Sequence, residues 1–187
     1  MTLKYFKPDK NWQYNSRITK TDNKWLFYGE GYRLASELLE KQILEIDPSN
    51  QDFLIYPYCY LMRHYVEIRL KEVIDEGNKL TNTTVDPTKG GHDLVILWNR
   101  SQLVLAEVWK DQHEKAPQNI SDFINELHAI DVKSDCFRYP IDKNGNETLS
   151  DIPQINFKKL SEVFQEVKWY LDGITDGLAA ARDNFGA

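Results

Sequence analysis

The stretch Tyr58–Glu76, YCYLMRHYVEIRLKEVIDE, is apolar on nearly every side at helical spacing, yet it carries Arg63, His64, Glu67 and Arg69. A helix that is apolar all round is normally enclosed by other helices. Charges within it need partners, because an ion taken out of water without one is strongly destabilising. The segment therefore demands a bundle built around it, with polar groups supplied from the surrounding elements.

The rest of the chain provides helices for such a bundle. From Asp22, with Thr21 or Asp22 as the cap, Trp25, Tyr28, Tyr32, Ala35 and Leu39 recur at steps of three and four, and this helix stops before Pro48. The central helix starts near Gln51 and is apolar nearly all round from Phe53 to Met62; Pro57 sits in its first turn or kinks it. Gly77 and Asn78 are its stop signal, and Asn78–Gly91, rich in Thr, Asn, Pro and Gly, reads as an exposed loop. A third helix begins near His92, with Leu94, Leu97, Trp98, Leu105, Val108 and Trp109 along one side. After Pro117 a shorter helix carries Ile120, Phe123, Ile124, Leu127 and Ile130 inward. Asp131–Pro153 is not helical in pattern, and Lys143-Asn144-Gly145-Asn146 predicts a small hairpin or ordered loop across residues 138–149. The last helix places Phe157, Leu160, Phe164, Val167, Leu171, Ile174, Leu178 and Ala181 on one near-heptad stripe. The expected fold is all-α: an antiparallel four- to five-helix bundle over residues 22–187, preceded by an arm at residues 1–21 with Tyr5, Phe6, Trp12 and Tyr14.

Bulk properties narrow the function classes. At 187 residues the chain holds one well-buried domain and is short for two. A net charge of −6 disfavours a generic polyanion-binding surface, while leaving room for a local basic site. Two cysteines make no disulfide framework, and Cys59 lies where a small core residue is expected. The polar opening residues and the lack of a long apolar run predict a soluble cytoplasmic protein with no membrane partner. Ten Tyr and five Trp are many for one small core to hide, which points to a homodimer.

Three groups of residues invite a chemical reading. Arg63, Glu67 and Lys71 stand at i, i+4 and i+8, with His64 three residues before Glu67. Functionally this is a His–Glu pair for proton transfer beside an anion-binding arginine, so Arg63, His64 and Glu67 are the catalytic candidates. Structurally it is an exposed ion-pair stripe on an otherwise buried helix. Gly91-His92-Asp93-Leu94 opens the third helix, where either His92 or Asp93 suits capping; alternatively His92 faces His64 and joins one polar site. Arg138-Tyr139-Pro140 follows a polar loop, and Arg138 is placed to reach a carboxylate such as Glu67 or to hold an anion. His92, Asp93, Arg138 and Tyr139 are thus the candidate binding residues. The four histidines are scattered without a metal-ligand pairing, and neither a phosphate-cradling glycine loop nor a nucleophile elbow occurs, so no metal and no cofactor are expected.

In the order RHYVEIRLKEVI, GHDLVILW and FRYP, these blocks resemble the HEPN superfamily over roughly residues 56–140. The resemblance implies an all-α bundle, commonly dimeric, in a family that works in RNA cleavage, nucleotide binding, toxin–antitoxin pairs and phage defence. Its ribonucleases carry Arg, four to six residues, then His. No arginine here has a histidine at that distance, and Arg63-His64 is adjacent. The expectation leans away from an enzyme and towards a non-catalytic module that binds a protein partner, a nucleotide or RNA. A divergent metal-independent ribonuclease and a structural assembly protein with no ligand stand as the alternatives.

Overall fold

A computed structural model describes residues 5, 7–16, 18, 23–81, 83–110 and 115–185; the side chain of Phe185 is outside the description. The chain is helical: α1 Lys24–Lys41, α2 Gln51–Leu80, α3 Leu94–Val108, α4 Gln118–Ile130 and α5 Phe157–Phe185. No strand occurs among the described residues. Thr21 and Asp22 lie outside them, and α1 is capped by Asn23, whose side chain accepts from the Leu26 N–H. Trp12 and Tyr14, in a short 3₁₀ turn, stand exposed and do not pack on the bundle.

α2 is the centre of the molecule, packed on α1, α3 and α5. Its thirty residues make a rod of about 45 Å. Burial covers all its sides from Tyr58 to Gly77, as the apolar sequence requires. The stretch before that departs from expectation: Phe53 and Tyr56 are exposed, while Leu54 and Ile55 of the same turns pack against the core. Pro57 falls in the second turn and the helix continues through it. Nor does Gly77 end the helix. A Cβ there would lie 2.3 Å from Val104 Cγ1, so glycine is what allows α2 and α3 to touch. Asn78 instead anchors the following loop, accepting from Thr83 Oγ1 and the Val85 N–H and donating to the Val85 carbonyl.

The helix directions differ from a simple antiparallel bundle. α1 opposes α2, since Asn23 reaches Glu72 while Tyr32 meets Tyr60. α3 and α5 run with α2. Arg63 meets His92 and Gly77 meets Val104 along α3; Tyr58 meets Phe157 and Glu76 meets Arg182 along α5. Parallel neighbours need a connection that returns the chain to the starting end. The Thr81–Asp93 segment provides it between α2 and α3, and α4 with the loop to Asn156 provides it between α3 and α5. In that loop the chain forms the ordered loop expected across residues 138–149. One antiparallel bridge, Ile141–Glu147, closes an ordered turn in which the Asp142 carboxylate accepts from the N–H groups of Asn144 and Asn146. Gly145, at φ +85°, takes the left-handed position that this turn needs.

The main core joins all five helices through residues such as Tyr65, Leu70, Leu97, Ile124 and Phe164, with Cys59 inside it. Burial pushes the Cys59 thiol up to about 12, so it is an inert packing group. α1 keeps Tyr28 outside its inner face, which is lined instead by Gly29, Tyr32, Ser36 and Leu39.

Candidate functional site

Five charged residues of α2, Arg63, Glu67, Arg69, Glu72 and Glu76, are buried. Arg63 is 0% exposed and every side of its guanidinium is used. Nε donates to the Asp131 carbonyl at 2.9 Å, Nη1 to Glu67 at 3.0 Å and Nη2 to the His92 carbonyl at 2.6 Å. One side chain thus ties α2 to the end of α4 and the start of α3. Asp131, also 0% exposed, stands 3.4 Å from Nε through Oδ2, while Oδ1 accepts from the N–H groups of Asp135 and Cys136. Glu67, 1% exposed, accepts in addition from Lys71 at 2.7 Å and faces His92 Nδ1 at 3.0 Å. Burial raises the Glu67 carboxyl, but Lys71, His92 and Arg63 together outweigh it and hold the group below its ordinary value. This is a closed structural clamp, not the exposed stripe that spacing alone allowed. Its one outlet is the His92 ring, 58% exposed.

His64 does not join it directly. Its ring lies edge-on to Tyr32, with centroids 4.4 Å apart, and stacks on Tyr60; its Nδ1 is buried without a hydrogen bond. Burial holds its pKa below the ordinary value, so the imidazole is neutral. His92 reaches Glu67 and not His64. Asp93 takes the capping role of the pair, accepting from the Ile96 N–H at 2.8 Å.

Arg138 is exposed and far from Glu67 in its bonding: Nε donates to the Ser134 carbonyl, and the guanidinium lies over the rings of Tyr60 and Tyr139, 5.6 and 5.3 Å from their centroids. No carboxylate pairs with it among the described residues. Arg138 and Tyr139 form part of the wall of an open groove of about 1320 Å³, between the first turns of α2 and the loop that leads into α5. Of the seven candidate residues, then, Arg63, Glu67 and His92 form one cluster open only at the His92 ring, Arg138 and Tyr139 sit on the groove, His64 packs on Tyr32 and Tyr60, and Asp93 caps α3.

Several participants carry little sequence signal. Asp131 closes the Arg63 clamp from sixty-eight positions away, and Tyr60 reads as one more apolar position. A second buried network is equally hidden: Arg69 pairs with Glu72, Glu30 and Asp172, and Lys168 with Glu37 and Glu40. Only its short-range parts, Arg69–Glu72 and Glu30–Arg33–Glu37, are visible as i, i+3 and i, i+4 spacings.

Among the described residues one set, Asp131, Asp135 and Cys136, brings three metal-capable atoms within 4.8 Å. It fits a cation poorly. Asp131 is committed to Arg63 and to two backbone N–H groups, and burial with the neighbouring carboxylates pushes the Cys136 thiol up to about 11, which keeps it protonated. No described helix is long and apolar enough to cross a membrane. Compared with protein-family models, with curated proteins and with solved structures, the chain matches none.

Proposed function

We propose that this protein is a non-catalytic binding module whose ligand or partner seats against Arg138 and Tyr139. The observation that carries this reading is the contrast between two arginines. Arg63 donates from all three guanidinium nitrogens inside the bundle, whereas Arg138 is held over two tyrosine rings at an open groove with its Nη groups free of any carboxylate. A preorganised guanidinium on a concave surface is a recognition device for an anionic group, and it needs no reaction to explain it. The resemblance to the HEPN superfamily supports the same reading, with a prokaryotic toxin–antitoxin or phage-defence setting, a protein, nucleotide or RNA as the bound species, and a homodimer as the working form. For the dimer, support comes from Phe27, Leu34 and Leu38, exposed along one side of α1 around Gly31.

The experiment sets binding against hydrolysis. The full chain is incubated with single-stranded and hairpin RNA and with ATP, and binding of each, and of a displayed peptide library, is measured in parallel. Every substrate should stay intact with the wild type and with His64→Ala, and Arg138→Ala should remove binding while leaving the thermal midpoint unchanged. RNA cleavage that His64→Ala abolishes would replace this reading with a ribonuclease. The observation favouring that second reading is the partly exposed His92 ring on the buried Glu67 carboxylate, a pair with the geometry of a base and its orienting group. His92→Ala therefore belongs in the same cleavage assay.

A further inference from the structure

The groove beside Arg138 carries a charge pattern that narrows its occupant. Besides Arg138 it is lined by Asp52, in the first turn of α2, and by Glu147, at the bridge that closes the Asp142 turn. None of the three has an ion-pair partner among the described residues, whereas Arg33, Arg63, Arg69, Lys71, Lys79, Lys168 and Arg182 are all paired. A lining with one cation and two carboxylates repels a polyanion and favours an occupant bearing both signs. The rest of the lining is mixed, with Ile55, Ile152 and Ile155 set among polar residues such as Gln51, Thr148 and Asn156. The backbone contributes as well: Ile152–Asn156 belongs to no helix or strand, and the N–H groups of Gln154 and Ile155 make no hydrogen bond among the described residues. An occupant that covers those peptide groups must bring donors and acceptors of its own, or they are left buried and unsatisfied.

Resting on the reading of the groove as a binding site, we propose that its occupant is a segment of a protein partner, a peptide of mixed charge. Its carboxylate engages the Arg138 Nη groups, a basic side chain meets Asp52 or Glu147, apolar side chains lie on Ile55, Ile152 and Ile155, and its backbone pairs with Gln154 and Ile155. Recognition of this kind takes affinity from main-chain hydrogen bonds and specificity from the flanking pockets.

The test uses a library of nine-residue peptides displayed on phage, selected against the full chain, with selected peptides resynthesised and titrated by fluorescence polarisation. Selected sequences should share one acidic and one basic residue among apolar ones. Arg138→Ala, or replacing the peptide's acidic residue by its amide, should weaken binding roughly tenfold or more. Arg138→Glu should regain binding to the peptide whose acidic residue is changed to Lys, and the amide resonances of Gln154 and Ile155 should shift on titration. Selected peptides that bind the wild type and Arg138→Ala equally would overturn the proposal, as would shifts confined to other surfaces. If a twelve-nucleotide RNA or ATP binds in an Arg138-dependent way and no peptide does, the peptide inference fails and the groove reading stands. If peptide, RNA and ATP all fail to bind in that way, both fall together.

Discussion

Arg63 is the residue on which three elements converge, and its removal leaves Asp131 buried without its cation and Glu67 with only Lys71 and His92. Arg63→Met should therefore destabilise the protein by about 3–5 kcal/mol, whereas Arg63→Met combined with Glu67→Leu should recover part of that loss. Urea denaturation of the two singles and the double checks it; strictly additive effects would show that the two side chains are not coupled. The same cluster makes stability depend on acid. Glu67 has a native pKa below its ordinary 4.5, so its contribution is complete above that value and is lost as pH falls through the lower native one. The stability gap between wild type and Glu67→Gln should accordingly shrink below about pH 4.5. His64, also lowered, from 6.5, contributes with the same sign in a higher window: its stabilisation is whole above 6.5 and declines as pH drops below it. His64→Phe should flatten that part of the profile. Arg63 and Glu67 were legible as a pair from spacing on one helix, whereas His64, grouped with them by the same spacing, packs on Tyr32 and Tyr60 instead. What spacing could not reveal is that Asp131 and the His92 carbonyl close the cluster, because those partners belong to other elements.

Element by element, periodicity located the buried stripes of the later helices well. The inner faces of α4 and α5 are those the apolar pattern marks, down to Ile124 and Leu171. Glycine was harder to place, since the same residue type ends a helix, permits a left-handed turn or admits a neighbouring helix. Gly77 belongs to the last kind, and Gly77→Ala should cost about 1–3 kcal/mol through the collision with Val104. Gly77→Ala with Val104→Ala should relieve the collision, seen as a partial return of the urea midpoint. Gly173 is the useful contrast: a Cβ there meets nothing within 4 Å, so Gly173→Ala should stabilise α5 by up to about 1 kcal/mol. Tyr28 and Phe53 were misplaced for a related reason. Both sit at helix positions that fit an apolar stripe, but α1 turns Gly29 and Tyr32 inward, and the start of α2 turns Leu54 and Ile55 inward.

At the scale of the molecule, the exposed side of α1 is the place to test the proposed homodimer. Leu34→Glu with Leu38→Glu should convert a dimer into a particle of the 21.9 kDa chain mass in sedimentation equilibrium, with helix content unchanged. A wild type that already sediments as a single chain would remove the dimer from the proposal. By itself the sequence determined that the chain is helical, where its five helices lie to within a few residues, and that α2 must be their centre. Those properties follow from local chemistry, from apolar spacing and from the turn-forming residues between helices. Helix direction, the closure of the Arg63 clamp and the charge pattern of the Arg138 groove were decided only in three dimensions. Each depends on which distant residues come together: His92 and Asp131 around Arg63, and Asp52 and Glu147 in one groove with Arg138. Periodicity fixes the inward face of each helix, and packing alone selects the neighbour that face meets.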